Sequence, residues 1–333
     1  MGKLTRIGIV MGDPSGIGPE VALRAVSSMK WEADCYPVLV GSKHVFQREI
    51  DRLRLPVHVS AEDDSSAPGG VRFVESVRSE IERFPYGKPS ADSGRASYSS
   101  IVKATELAIR GSLDAVVTAP ISKRAFREAG LEFPGHTELL AQLTDAPRYA
   151  MMLTADKLRV TLVTTHMAIS EVAEQIRADA VLDKIELSVI FLDHYAGIKS
   201  PAIGVCALNP HAGEGGRFGN EEAEIADAVR NARASGIDAD GPMPADSLFA
   251  HWQSYDCIIA NYHDQGLIPV KLLAFNTAVN VTLGLSLIRT SPDHGTAFDI
   301  AGRGKANPES MIEAIRLARH MALAGRVEWE RKK

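Results

Sequence analysis

Short, almost wholly apolar runs alternate along the chain with longer stretches whose apolar positions recur at helical spacing. The runs Arg6–Met11, Val38–Val40, Ala115–Thr118, Arg159–Thr165, Ala202–Leu208, Cys257–Ala260 and Ala278–Thr282 read as strands. Several are apolar almost throughout, which predicts cover on both faces, the condition of strands in a parallel sheet. Between them, Arg95–Arg110, Asp179–Tyr195 and Glu221–Ala234 read as helices. The first stops at Gly111 and the third near Gly236, where glycine suits the left-handed residue that ends a helix. Strands alternating with helices predict an α/β fold with largely parallel sheets. No internal repeat is visible, and the biased stretch Glu62–Gly70 reads as a surface loop.

Length and composition narrow this picture. The chain has 333 residues, room for about two domains. Apolar residues make up 45% and charged residues 24%, so a long disordered chain is excluded. The formal net charge is −5, which argues against a nucleic-acid binder. No apolar run is long enough for a membrane span, and Met1–Arg6 leads into a strand-like run without a signal-type core. Cys35, Cys206 and Cys257 are far apart, odd in number and outside any CxxC pattern. Buried thiols in a reducing cytoplasm are the expected state.

Three histidines share one placement. The run ending at Thr165 passes into His166, the run ending at Leu208 passes through Asn209-Pro210 into His211, and Cys257–Tyr262 passes into His263. Each lies just beyond the C-terminal end of an apolar strand, the edge at which open α/β sheets bind ligands. Three imidazoles there suit a divalent metal with open positions for substrate; ordinary hydrogen-bonded loop histidines are the alternative. Asp246 and Asp264 are nearby carboxylates able to ligate or to orient the imidazoles.

Other positions suit anions. The turn Met11–Glu20 is rich in glycine and leads from strand to helix, but it matches neither G-x-G-x-x-G nor a P-loop. Thr137 suits a helix N-cap with His136 beside it, a good phosphate seat or a plain cap. Lys271, eight positions after His263, is a candidate cation or proton carrier. Asn280 is a polar amide inside an apolar strand, and Arg289 could clamp an anion or form a surface ion pair.

Taken in order, Gly12–Glu20, Gly135-His136-Thr137-Glu138, Asn209–Glu214, Tyr262–Gly266, Val279–Gly284, Ile288–Ser291 and Asp293–Ala297 resemble the 4-hydroxythreonine-4-phosphate dehydrogenase family over nearly the whole chain. The segment His294–Pro308 is similar to the NAD loop of isopropylmalate and isocitrate dehydrogenases. The resemblance implies two α/β/α domains with a cleft between them, not a Rossmann fold. It implies a terminal domain of residues 1–130 plus 283–333 carrying the NAD loop, and a central domain of residues 131–282 carrying metal ligands and dimer contacts. It assigns the metal (zinc, cobalt or magnesium) to His166, His211 and His263, shared across a homodimer. It assigns substrate to His136, Thr137, Lys271, Asn280 and Arg289, and the cofactor, NAD with NADP as the variant, to His294, Asp299 and Asn307. Lys271, Asp246 and a metal-bound hydroxide are the candidates for proton transfer, the first two being the catalytic side chains.

The implied reaction oxidises the 3-hydroxyl of a 4-phosphorylated four-carbon acid and then decarboxylates it. Gln265–Phe275 and Ala297–Ile300 look closer to the branch acting on 4-phosphorylated threonate or erythronate, which yields dihydroxyacetone phosphate. A relative acting on aromatic dihydrodiol carboxylates, a metal-dependent phosphatase and a non-catalytic phosphate-binding module are the rivals. The phosphatase has no use for the His294–Pro308 loop.

Overall fold

The computed structural model describes residues 4–32, 34–61, 71–77 and 84–329. The Glu62–Gly70 stretch lies outside the described residues. Two compact units are formed, Met1–Asp145 with Leu285–Arg326 and Ala146–Gly284 with Val327–Lys333.

The first unit runs β1 (Thr5–Val10), α1 (Gly18–Ser28), β2 (Cys35–Gly41), α2 (Lys43–Leu53), β3 (Val59–Ala61), β4 (Val71–Glu75), α3 (Ala91–Ile109), β5 (Ala115–Thr118), α4 (Lys123–Glu128) and α5 (His136–Leu143). Its strands pair in parallel in the order β3-β4-β2-β1-β5. Ile7 and Ile9 of β1 and Val21, Ala22 and Leu23 of α1 are fully buried. Each buried Ile, Val or Leu stabilises the fold by about 1.5–3 kcal/mol. Helix starts follow their caps: Ser42 Oγ accepts from Val45 N at 3.4 Å, and Ser90 with Ser93 forms a reciprocal box at the start of α3. That box begins α3 at Ala91, four residues before the start expected from apolar spacing.

The second unit runs β6 (Ala150–Ala155), β7 (Leu158–Leu162), α6 (Ile169–Gln175), α7 (Ala178–Tyr195), β8 (Ile203–Cys206), α8 (Glu221–Ala234), β9 (Ala239–Met243), α9 (Ala245–Ala250), β10 (Cys257–Ala260), α10 (His263–Ala274) and β11 (Val279–Leu283). Its strand order is β11-β6-β7-β10-β8-β9. The β7-β10-β8-β9 set is parallel, and β6 runs antiparallel to both its neighbours. Leu153, Val160, Ile258, Leu267 and Val270 pack α10 against the sheet.

The chain then returns to the first unit with β12 (Arg289–Pro292), parallel to β5, and α11 (Glu309–Ala324), which buries Met311, Ile315 and Met321. The fold is α/β with largely parallel sheets, as the hydrophobic pattern predicts. All three cysteines are free and buried. Among the described residues, no helix is long and apolar enough to cross a membrane.

Candidate active site

In the second unit, four chemistry-bearing side chains start where four neighbouring parallel strands stop. His166 follows β7, His263 follows β10, His211 follows β8 and Asp246 follows β9. Register explains the closest pair. Ile258 of β10 lies beside Val160 of β7, and the ladder continues past both strand ends. Val163 N donates to Ala260 O at 2.8 Å, and Thr164 Oγ1 donates to Asn261 O at 2.7 Å. The rings of His166 and His263 therefore meet, with centroids 6.0 Å apart and planes tilted by 41°. His263 Nδ1 is 2.7 Å from Asp264 Oδ1. A carboxylate on Nδ1 is the kind of partner that orients an imidazole and leaves its Nε2 as the nitrogen for a metal.

His211 shares that edge in a different setting. It opens four consecutive residues with left-handed backbone, His211, Ala212, Gly213 and Glu214, at φ 54°, 53°, 72° and 43°. Asn209 anchors the turn, its N donating to Glu222 Oε1 at 2.7 Å and its Nδ2 to Glu221 Oε2 at 2.8 Å. Among the described residues, no three His, Cys, Asp or Glu side chains stand close enough to hold a metal ion. His211 and exposed Asp246 thus share the edge with the His166–His263 pair without closing a three-ligand group in one chain. Lys271 lies two turns along α10 from His263, its Nζ 6.0 Å from the Phe275 ring centroid. Asn280 stands on β11 opposite Leu153 of β6.

In the first unit, Arg289 and His136 form a second candidate cluster beside β5 and β12. Arg289 opens β12 and is 2% exposed. Its Nε and Nη2 donate to Thr118 Oγ1 at 3.1 and 2.8 Å. Burial drives its pKa down to about 9, with the Glu138 carboxylate pulling the other way. Burial and the Arg289 charge hold the His136 imidazole well below its usual range, so it is neutral. His136 Nε2 is buried and has no hydrogen-bond partner among the described residues. A desolvated guanidinium beside an unsatisfied imidazole nitrogen is a site that an incoming oxyanion completes. Thr137 is buried beside it, but Gly135 in extended conformation is the N-cap of α5, and no side chain caps that end. The N-cap therefore falls two positions before the expected Thr137, which lies inside the first turn, where its backbone is already helical.

His294, Asp299 and Asn307 lie in the segment between β12 and α11. His294 Nδ1 is 3.1 Å from Gly295 O, and Asn307 Oδ1 accepts from Glu309 N, the first residue of α11, at 3.0 Å. Asp299 is exposed.

Sequence reasoning missed two groups here. Lys123, which opens α4, faces the field of Glu138, and partial desolvation lowers its pKa; its signal was its place just past β5. Asp13 lies in the glycine-rich turn, fully buried, accepting from Ser15 N at 2.8 Å and Ser93 Oγ at 3.3 Å. Burial raises its pKa to about 6. Its neighbour Gly12 has φ +71°, and a Cβ there would fall 2.5 Å from Pro120 O, so the turn requires glycine.

The chain matches the model of the pyridoxal phosphate biosynthetic protein PdxA over residues 33–318. It is 46% identical over 324 residues to 4-hydroxythreonine-4-phosphate dehydrogenase of Geobacter metallireducens, covering 95% of each chain. It is 42% identical to D-threonate 4-phosphate dehydrogenase of Pectobacterium atrosepticum, over 95% of this chain and 99% of that one. A crystal structure of 4-hydroxythreonine-4-phosphate dehydrogenase from Klebsiella pneumoniae superposes with a TM-score of 0.84 at 39% identity, covering 96% of this chain and 99% of that one. The chain belongs to the PdxA family, whose relatives named here are dehydrogenases.

Proposed function

We propose that the protein is an NAD-dependent, divalent-metal-dependent dehydrogenase that oxidises the 3-hydroxyl of a 4-phosphorylated four-carbon acid of the 4-hydroxythreonine 4-phosphate type, followed by loss of the carboxylate as carbon dioxide. The observation that carries this reading is the buried Arg289–His136 seat in a chain whose relatives are named for phosphorylated substrates.

His166, His211 and His263 would hold the metal, one of them reaching in from the second subunit of a homodimer. The His166–His263 pair fits such a centre: its rings stand at a distance that two metal–nitrogen bonds of about 2 Å can span, and Asp264 orients one of them. The loop carrying His294, Asp299 and Asn307 would hold NAD, with exposed Asp299 suited to ribose hydroxyls. When bound, the metal supplies a Lewis acid at the substrate oxygens and the nicotinamide supplies the hydride acceptor.

The chain's own residues supply the rest. Arg289 holds the phosphate as a fixed, planar cation. Neutral His136 donates to the phosphate without adding charge. Lys271 on α10, or Asp246 at the histidine edge, takes the hydroxyl proton, and Asn280 orients the substrate's polar groups. Dimerisation is supported by exposed apolar side chains on α10, the helix that begins with His263, and at its C-cap Phe275: Ile268, Leu272, Leu273 and Phe275 are 57%, 81%, 59% and 73% exposed. A patch of this kind needs a partner surface. The free, buried thiols fit a cytoplasmic enzyme.

A second reading, a substrate with a hydroxyl in place of the 2-amine, is favoured by D-threonate 4-phosphate dehydrogenases at 42% and 43% identity. The test follows NADH formation with phosphorylated threonine, threonate and erythronate, with released phosphate measured in parallel. NADH production that a chelator stops and zinc, cobalt or magnesium restores is the expected result. Phosphate release without NADH, or full activity in metal-free protein, would reject the proposal.

A further inference from the structure

The segment between β12 and α11 makes no strand pairing, yet its backbone is held at three points by side chains from α1 and α2. Arg52 Nη1 donates to Gly302 O at 3.0 Å. Arg24 Nη2 donates to Gly304 O at 2.7 Å. Ala306 N donates to Glu20 Oε1 at 3.1 Å. The same three side chains hold one another: Arg24 Nε donates to Glu20 Oε1 at 3.0 Å, and Arg52 Nη2 to Glu20 Oε2 at 2.9 Å. Glu20 is only 2% exposed. Behind them Glu49, also buried, accepts from Arg52 Nη2 at 2.6 Å and from the Tyr86 hydroxyl. The Tyr86 ring closes over Gly302, where φ is +75° and a Cβ would fall 2.6 Å from Cδ2 of the ring.

Two carboxylates taken out of water are a poor source of stability, because desolvation consumes most of what pairing returns. Such a network is better suited to selecting one conformation. The conformation it selects is that of residues 302–306, and the cofactor candidates Asp299 and Asn307 stand on either side of that stretch.

We propose that Glu20 and Arg52 are positioning residues for the dinucleotide: they touch neither cofactor nor substrate, and they fix the backbone on which the cofactor contacts are mounted. This rests on reading residues 294–308 as the NAD loop. The consequence is selective. Loosening the clamp weakens NAD binding while leaving the phosphate seat and the imidazoles unchanged.

The test uses Glu20→Gln, which keeps an acceptor for Ala306 N but removes the charge, and Gly302→Ala, which displaces the loop with no change of charge. Circular dichroism confirms folding. If Glu20→Gln does not fold, Gly302→Ala decides. KM for NAD should rise about tenfold, with kcat and KM for the phosphorylated acid within about twofold of the parent enzyme. Amide exchange adds a readout apart from turnover. NAD should slow exchange across residues 294–307 in the parent enzyme, and the variants should need more NAD for the same protection. Parent-like KM for NAD in the folded variants, or a fall in kcat alone, would overturn the positioning role. Absence of NAD-dependent protection in the parent enzyme would overturn the loop's cofactor role, and the positioning role with it.

Discussion

Arg289 shows what a single residue carries. Its charge is buried at the start of β12, and the two hydrogen bonds given above both fall on the Thr118 hydroxyl. Lysine would keep the charge but lose the planar fork. Arg289→Lys should raise KM for the phosphorylated substrate by about ten- to a hundredfold, the loss of a charged hydrogen bond of about 1.5–3 kcal/mol. KM for NAD should not move. Equal rises in both constants would place Arg289 outside the phosphate seat. In the sequence, Arg289 offers a clamp and a surface ion pair as equal alternatives. Only the parallel pairing of β12 with β5, which buries the side chain, separates them. His136 was legible as a residue at a helix start, an anion candidate or part of a plain cap, because a helix start is written in local sequence. Lys123 and Asp13 were not, because their partners, Glu138 and Ser93, are far along the chain.

At the scale of elements, Asp13 couples the β1–α1 turn to the N-terminus of α3. Its folded pKa of about 6 lies above the ordinary 3.8. A carboxyl raised in this way binds its proton more tightly when folded, so stability falls as pH rises from about 3.8 through about 6 and stays reduced above that. The cost at neutral pH is about 3 kcal/mol. Asp13→Asn keeps an oxygen for Ser15 N and leaves Ser93 Oγ free to accept from the amide. It should melt at a higher temperature than the parent at pH 8 and at nearly the same temperature at pH 4. A variant that melts lower at pH 8 would show that the ionised carboxylate stabilises the turn. Most parallel strands were legible from their apolar runs, and α8 from its spacing. The antiparallel β6 was not foreseen. Its signal is local, since β6 and β7 are joined by Asp156-Lys157 with Asp156 at φ +54°. A two-residue turn with a left-handed aspartate marks a hairpin, and the general α/β alternation masked it.

For the whole molecule, the exposed apolar side chains of α10 make the strongest statement about assembly. Leu272→Glu places a charge where the proposal puts a subunit contact. Sedimentation should show the parent chain as a dimer and the variant shifted to monomer, with turnover lost alongside if the imidazoles are shared. A monomeric parent, or a monomeric variant with full turnover, would separate assembly from the active centre. The order of the three histidine strands, β7-β10-β8, is not readable from the sequence. The placement of each histidine beyond its own strand is. Long-range strand order decides which of them become neighbours, and no local pattern encodes it.

The coincidence of chemistry with strand ends has a consequence for change over time. Backbone pairing holds the second unit's sheet together, while His166, His211, His263 and Asp246 come only after the pairing of their own strands stops. Exposed residues in the short stretches after β7, β8, β9 and β10 can therefore be exchanged without opening the interior, whereas Thr164 and Asn261, buried there and hydrogen-bonded to one another and to β8, cannot. On the proposed function, libraries confined to the exposed positions of those stretches are the economical route to altered selectivity, because the paired interior is left as it is.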